Sequence, residues 1–233
     1  MRFATPLIEG KLIRRPKRYS ADIQLPSGKT IAAHLVHPGS LQGCCNPGSR
    51  VLVSPRPDQR YRHGHQVEIV YTGRTAIGIH CGRPVSVLVE SVVRQKIRQL
   101  EGYAKIERIV ETPRTGPTDV LLHGNGLRPC HVAVRNVTLA HEQVAYYPDS
   151  PQPRDLSHFR ELTDLVREGR RALIFLLVAR ADAESFRPAD HIDADAGGAL
   201  RDAHARGVEA VCWRAKISRR SIELDRELPI DLS

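Results

Sequence analysis

The sequence predicts a mixed α/β protein in two parts, a small N-terminal β-barrel followed by a larger sheet layered by helices. Residues 1–82 contain many short β-like runs and few helical patterns, whereas helical stripes alternate with strand-like runs in residues 83–233. The apolar content of 41% and the charged content of 26% are typical of a globular chain. These observations predict a mixed α/β fold class.

Short apolar runs punctuated by turn signals predict the barrel. The turn signals are "PSGK", "HPGS", "NPGS" and "YTGR". The runs between them are "EGKLIRR", "YSADIQL", "TIAAHL", "RVLVSP" and "HQVEIVY" followed by "TAIGIH". About five strands in roughly 80 residues favour an OB-type barrel, the common small barrel that binds polynucleotides; an SH3-like barrel would give nearly the same pattern.

The second part reads as helix–β–β–β–helix–β–helix–β. A helical stripe over positions 88–100 ends at Gly102, and Asp155 can cap a second helix that ends at Gly169. The continuously apolar "ALIFLLVA" is typical of a central strand covered on both faces. The other predicted elements are strands at 104–112, 117–123 and 130–139, a helix around 195–206 and a final strand "VEAVCWRA". A mixed sheet layered by helices follows.

Positive charge is placed unevenly along the chain. Residues 1–82 carry 12 Lys and Arg against 4 Asp and Glu, whereas residues 83–233 carry 23 against 22. Guanidinium groups bind phosphates and exposed aromatic rings stack on bases, so this pattern predicts nucleic-acid contact; the alternative is a solvated charged surface. The candidate residues are Lys11, Arg14, Arg15, Lys17, Arg18 and Tyr19, with Arg56, Arg60, Tyr61 and Arg62.

Several classes of protein are disfavoured by the sequence. No run of eighteen apolar residues is present, and the N-terminal segment lacks the apolar core of a secretory signal. Five cysteines without a spaced framework predict reduced thiols in a cytoplasmic protein. Cys44 and Cys45 are adjacent rather than spaced as CxxC, so we expect no zinc site.

Two neighbouring strand-like runs suggest the remains of a metal-dependent nuclease centre. The run "PTDVLLH" carries Asp119, and "CHVAVRNVTL" carries Ala133 and Arg135, whose side chains leave the same face of the strand. A Mg²⁺ centre needs close carboxylates, which Asp119 and Glu90 could supply. Ala133 supplies no ligand, and Arg135 cannot act as a base. The alternative is that Asp119 is simply a turn residue at a strand end.

A further candidate lies at the start of the second predicted helix. Arg154 and His158 in "PRDLSHF" are four residues apart, so both can project from the first turn on one face. A helix N-terminus also favours phosphate. The alternative for His158 is a surface histidine without a special role.

The chain resembles a known family, the bacterial sugar fermentation stimulation proteins, over nearly its whole length. The motifs that carry the resemblance, in order, are "KRY", "ADI", "HPGSLQGCCNPG", "LEGY", "TDVLL", "VAVRNVTL", "YYPDSPQPRDLSHFREL", "GRRALIFLLVAR", "FRPADHID" and "RGVE". The resemblance implies an OB-like domain at 1–82 joined to a restriction-endonuclease-like, PD-(D/E)XK domain at 83–233. It also implies DNA binding with little sequence preference, a role in regulating sugar-utilisation genes, and a nuclease activity that would use Mg²⁺ or Mn²⁺.

The chain departs from the family pattern where nuclease chemistry would reside. The family's Glu-x-Lys on the second strand is Ala133-x-Arg135 here, and Gly116 and Pro117 replace the Ser-Arg that precedes the acid. In the barrel, the family's Asn-Thr-Gly is His37-Pro38-Gly39, and in the loop motif Asp155 and Ser157 replace Gly and Lys. Asp119, Asp149, Arg154 and His158 carry over. A relocated carboxylate, for example Glu111 or Glu142, could compensate.

The sequence therefore predicts a DNA-binding protein with a basic barrel and a degenerate, pseudonuclease centre. One alternative is an active Mg²⁺- or Mn²⁺-dependent nuclease with a rearranged site. Another is an interaction module that no longer binds nucleic acid, which the charge placement disfavours. Among nucleic acids we expect DNA rather than RNA, and we expect no membrane partner.

Overall fold

The computed structural model describes residues 1–56, 63–108 and 118–233. Its N-terminal part is a closed barrel. Strand β1 pairs antiparallel with β2 and β4, and a parallel pairing of β3 with β5 closes the barrel. The strands are β1 (Ile8–Lys17), β2 (Ser20–Gln24), β3 (Thr30–Leu35), β4 (Arg50–Pro55), β5 (His65–Thr72) and β6 (Thr75–Gly78). The OB-like barrel predicted from the sequence is confirmed.

Irregularities in β1 turn its basic residues outward. Leu12 packs in the barrel core, and the register against β2 shifts between Leu12 and Arg14 and again between Arg14 and Lys17. Such bulges interrupt the strict alternation of inward and outward side chains. As a result Ile13 and Arg14 are both exposed, and the basic end of the strand stays at the surface.

The larger part is a mixed six-stranded sheet with helices on both faces. The strand order is β15-β14-β12-β9-β8-β7, and central β12 runs parallel to both of its neighbours. Seven of the eight residues of β12 are buried, as its continuous apolar run predicts. The strands are β7 (Tyr103–Arg108), β8 (Val120–Gly124), β9 (Cys130–Val137), β12 (Arg171–Val178), β14 (Glu209–Ile217) and β15 (Ile222–Glu227).

The three helices differ in detail from the predicted boundaries. Helix α1 (Arg83–Val93) begins earlier, with Pro84 in its first turn, and ends before Ile97, so the predicted stripe to Gly102 was wrong. Residues Arg98–Leu100 form a 3-10 turn instead. Helix α2 (Pro153–Arg167) begins with proline at its first position, and Asp155 lies inside its first turn rather than capping it. Helix α3 (Ala194–Ala205) lies close to the predicted range.

Two features of the larger part were not predicted. A small second sheet contains β10 (Leu139–His141), β11 (Val144–Tyr147) and β13 (Ser185–Pro188). Strand β15 follows β14 as an antiparallel hairpin partner. Its alternating but highly charged sequence, "IELDRE", lacks the apolar run on which the prediction of strands depended.

The barrel and the larger sheet are joined by backbone and buried polar contacts. Gly78 N–H donates to Ala179 O at 2.8 Å, and the Asn136 side-chain amide donates to Gly78 O at 3.0 Å. The carboxylate of Glu68, fully buried in the barrel, is paired with Arg83 of α1. Met1 packs in the core of the larger sheet. A division of the chain near residue 82 stays a prediction.

Among the described residues, no helix combines the length and the apolar character that crossing a membrane requires.

Candidate functional site

A cleft of about 460 Å³ lies where the barrel meets the α/β part, and it gathers several of the predicted site residues. The barrel contributes the loop of residues 37–41 through His37, Pro38 and Gly39. The α/β part contributes the following polar side chains: Asp119, Arg135, Asp149, Arg154, Asp155 and His158. Asp119, Arg135, Arg154 and His158, chosen from the sequence, therefore line one cavity.

Arg135 lies in this cleft, and its guanidinium makes hydrogen bonds through all three of its nitrogen atoms. Its Nε donates to Asp155 Oδ1 at 2.9 Å, and its Nη1 donates to Val134 O at 3.0 Å and to Asp119 Oδ2 at 3.4 Å. Only 8% of the residue is exposed. Burial would lower the pKa of Arg135, but the charges of Asp155 and Asp119 outweigh burial and raise it. The guanidinium is therefore a permanent, fixed cation.

The residue that holds Arg135 most closely is Asp155, on the first turn of α2. Its second oxygen accepts a hydrogen bond from the Tyr147 hydroxyl at 2.6 Å. Burial, and then the adjacent Asp155 carboxylate, raise the pKa of Tyr147, so this tyrosine stays a donor. The sequence interpretation of Asp155 as a helix cap missed this role. The sequence did contain a signal for this pair. Relative to the family motifs, the chain has an acid at position 155 and an arginine at position 135, and these two changes complement each other in charge.

The carboxylate of Asp119 accepts hydrogen bonds from neighbouring groups of the protein. Besides the contact with Arg135, its Oδ2 accepts a hydrogen bond from Val134 N–H at 2.6 Å. Ala133, where the resembling family has glutamate, is fully buried and packs with the apolar cluster on the α2 face of the sheet. The sheet therefore presents one carboxylate beside a fixed guanidinium, instead of two carboxylates and a lysine.

The partnership of Asp119 with Glu90 in a metal site stays a prediction, and in the structure the two carboxylates have different partners. Glu90 lies on α1, where its Oε2 is 3.3 Å from the terminal amine of Met1 and 3.8 Å from Arg94. It does not line the cleft. No group of three or more His, Cys, Asp or Glu side chains suited to a metal ion occurs within the described ranges. Of the two relocated carboxylates considered, Glu142 lies in a turn outside the cleft, and Glu111 lies outside the described residues.

Arg154 and His158 provide the polar groups of the cleft that remain available to a ligand. The Nδ1 atom of His158 lies 3.2 Å from Arg135 Nη2. Because a guanidinium can only donate, Nδ1 must accept, and the ring proton is on Nε2. The Arg154 guanidinium is exposed and has no hydrogen-bond or ion-pair partner among the described residues. Both residues lie on the first turns of α2, which favour an anion.

The predicted basic residues of β1 and of the turn after it form a surface on the barrel. Lys11, Arg14, Lys17 and Arg18 are exposed, and Arg14 donates to Asp22 at 2.7 Å while keeping 71% of its side chain accessible. Tyr19 is 46% exposed, with the Arg18 guanidinium 5.5 Å from the centre of its ring. We call this set, together with Arg15, the β1 basic surface.

Two members of the β1 basic surface are tied to the loop at the mouth of the cleft. Arg15 Nη1 donates to Ser40 O at 2.7 Å, and Arg18 Nη2 donates to Pro38 O. Of the second predicted basic cluster, Arg56 lies at the end of β4 and is half-buried. Arg60, Tyr61 and Arg62 lie outside the described residues. The structure thus connects the predicted barrel surface to the cleft through residues 37–41.

The fold and the cleft define a class of two-part proteins, in which an OB-like barrel is fused to a mixed α/β sheet and a polar cleft lies at the junction. Comparison with known proteins gives the family. Residues 83–221 match the family model described as the sugar fermentation stimulation protein RE domain, and residues 13–79 match the SfsA N-terminal OB domain. The chain belongs to the sugar fermentation stimulation protein (SfsA) family.

Individual relatives agree with this assignment over the full length of the chain. The sugar fermentation stimulation protein homolog of Citrifermentans bemidjiense is 38% identical over 231 residues, 99% of each chain. The homolog of Alkalilimnicola ehrlichii is 40% identical over 235 residues, also 99% of each chain. The solved structure of Pyrococcus furiosus SfsA in complex with Ca²⁺ is similar in fold, with a TM-score of 0.88 at 22% identity, covering 99% of this chain and 98% of that one.

Proposed function

We propose that this protein binds nucleic acid through the β1 basic surface, with DNA as the partner and little preference for base sequence. The observation that carries the proposal is the group of mostly exposed cations along β1 and the turn after it, beside the exposed Tyr19, in the third of the chain that holds most of the net positive charge. Cations on one strand meet successive phosphates of a backbone, and those contacts carry no sequence information. The names of the relatives support a regulatory role in sugar utilisation for this binding.

The cleft has a secondary role in this proposal. Arg154 and the Nε2–H of His158 can receive one backbone phosphate at the start of α2. Arg135 cannot do so freely, because its nitrogen atoms are engaged by Asp155, Asp119, Val134 O and His158. The affinity therefore resides mainly on the barrel.

A binding titration with matched variants tests the proposal. The first variant replaces Arg14, Arg15, Lys17 and Arg18 with Ala; the control replaces four exposed arginines of the α/β part, Arg160, Arg167, Arg170 and Arg206, and so removes the same charge. For the wild type we expect a log–log dependence of affinity on salt with a slope of about −4 to −5 on duplex DNA. The first variant should lose about one unit of slope per cation, and the control should stay near the wild type. A flat salt response, or equal losses in both variants, would contradict the proposal.

The second candidate function is metal-dependent cleavage of nucleic acid. It is favoured by the presence of Asp119 and Asp155 in one cleft and by the Ca²⁺ in complex with the Pyrococcus furiosus protein. The contacts of Arg135 oppose it, because its guanidinium takes up the negative charge of both carboxylates. We therefore expect little or no cleavage with Mg²⁺ or Mn²⁺. Robust cutting by the wild type that disappears in Asp119→Ala would establish the enzyme instead.

A further inference from the structure

Strand β7 (Tyr103–Arg108) lies at one end of the larger sheet and has an unpaired edge. Among the described strands it pairs only with β8. At the start of β7, the Gln95 side chain donates to Tyr103 O at 3.0 Å. Over residues 104–107, no described group outside the β7–β8 pair hydrogen-bonds to the backbone. Such an edge presents N–H and C=O groups with which another strand can pair.

The sequence along this edge is self-complementary. Lys105, Ile106 and Glu107 are consecutive. An antiparallel pairing of two copies centred on Ile106 therefore places Lys105 of each copy opposite Glu107 of the other. Residues directly opposite have Cβ atoms about 4.5–5.5 Å apart, and opposite charges at this distance stabilise the pair. The two copies of Ile106 then contact each other across the axis.

The side chains on this edge are accessible for such a pairing. Lys105 and Glu107 are exposed, whereas Ile106 is half-buried and packs against the core cluster on the α1 face of the sheet. Glu107 Oε2 lies 3.6 Å from His123 Nε2, yet 61% of the Glu107 side chain remains accessible. Because side chains alternate along a strand, the two charged residues share the face opposite to Ile106.

Two exposed apolar side chains lie beside the start of the same edge. Val93, at the end of α1, is 64% exposed, and Leu127 is 42% exposed. The hydrogen bond from Gln95 connects the turn after α1 to β7. Leu127 lies over Gly124, the partner of Tyr103 on β8, where an added Cβ would be 2.8 Å from its Cδ1. Exposed apolar groups of this kind are typical of interaction surfaces.

The charges on β7 also select one register of pairing. Charged residues on an edge strand usually prevent association. A shift of two residues in one direction would place Glu107 opposite Glu107 of the second copy, and a shift in the other direction would place Lys105 opposite Lys105. Like charges directly opposite are destabilising. The same residues therefore repel misaligned strands and complement a second copy in the register centred on Ile106.

We propose that the protein forms a homodimer through β7, in which residues 104–107 of two copies pair antiparallel and the larger sheet continues from one copy into the other. This inference goes beyond nucleic-acid binding and does not depend on it. One short edge strand covers less area than a standard protein–protein interface, so the dimer is weak and depends on protein concentration.

Analytical ultracentrifugation of the wild type, over about 1 μM to 1 mM where weak complexes dissociate, tests the inference. We expect a reversible monomer–dimer equilibrium. Lys105→Glu places like charges opposite each other in both symmetry-related pairs, and so does Glu107→Lys. Each variant alone should dimerise about tenfold more weakly than the wild type. Lys29→Glu, at an exposed position of the barrel, makes the same charge change away from β7 and should dimerise as the wild type does.

Mixing the two single variants is the decisive step. In the equimolar mixture of Lys105→Glu with Glu107→Lys, both cross-strand pairs again combine opposite charges, so a heterodimer should form with about the wild-type affinity. The double variant that carries both substitutions should dimerise with itself for the same reason. Misfolded chains would not regain association on mixing, so this recovery separates a contact between copies from a loss of folding.

Hydrogen exchange in the wild type provides a measurement that needs no variant. The amides of β7 that point away from β8 should become more protected as the protein concentration rises. A wild type that stays monomeric throughout the range overturns the inference. So does a dimer that neither single substitution weakens, since it would form through another surface. Two weakened variants that fail to associate when mixed would also contradict the pairing.

Discussion

At the scale of single residues, the cleft shows how a buried cation is kept stable. Arg135 is removed from water, yet it contacts two carboxylates, a backbone carbonyl and a histidine nitrogen. Removing one partner of such a group leaves an uncompensated charge, whereas the intact pair contributes little net stability. The intact ion pairs of Arg135 therefore add little to the free energy of unfolding, but removing Arg135 alone should destabilise the fold strongly.

Arg135→Ala should lower the free energy of unfolding by about 3–5 kcal/mol, because Asp155 is left buried without its cation. The control is Arg154→Ala, which removes an exposed guanidinium from the same cleft and should change stability by less than about 0.5 kcal/mol. Urea denaturation measures both. Equal effects of the two substitutions would show that the contacts of Arg135 do not matter for stability.

At the scale of elements, strand β9 carries Ala133 and Arg135 where the resemblance led us to expect a glutamate and a lysine. It presents Ala133, Arg135 and Val137 toward the α2 side of the sheet, and Ala133 is fully buried there. A strand with this sequence packs as an ordinary core strand with one paired cation. The mixed α/β sheet is thus compatible with alanine and arginine at these two positions.

The double substitution Ala133→Glu with Arg135→Lys should introduce the family's pair on one face of β9. Without metal the variant should unfold at a lower temperature than the wild type, because a carboxylate is buried at position 133. Mn²⁺ should raise its melting temperature, since binding to the folded state stabilises it. Arg135→Lys alone is the control. A clear Mn²⁺ shift in the wild type would show that its cleft binds the metal without these substitutions.

At the scale of the whole molecule, the barrel and the sheet are joined through buried carboxylates. Burial would raise the pKa of Glu68 and of Asp149, but hydrogen bonds from Arg83 and His37 respectively outweigh burial and lower it. A carboxyl whose pKa is lower in the folded than in the unfolded state stabilises the fold above the unfolded pKa of about 4. That stabilisation is lost as the pH falls through the folded pKa.

The urea midpoint of the wild type should therefore be roughly constant from pH 7 to 5 and should fall steeply below pH 4. Glu68→Gln should lower stability at pH 7 by about 1.5–3 kcal/mol, because Arg83 loses a charged partner. It should also flatten the acid decline. Glu161→Gln, at an exposed position on α2, is the matched control. An identical acid decline in Glu68→Gln and the wild type would exclude Glu68 from this linkage.

Local sequence was sufficient for the barrel, the central strand β12 and the exposed cations of β1, because apolar periodicity and turn residues act over a few neighbouring positions. It also identified Asp119, Arg135, Arg154 and His158 as candidates. Only the tertiary structure decided how these residues are used. Asp155 and Asp149 are remote in the chain from Arg135 and His37, and their pairing depends on how α2 and the barrel loop meet at the sheet. Such contacts have no periodicity in the sequence, so the pairing of Arg135 with Asp155 and of His37 with Asp149 became evident only in the folded chain.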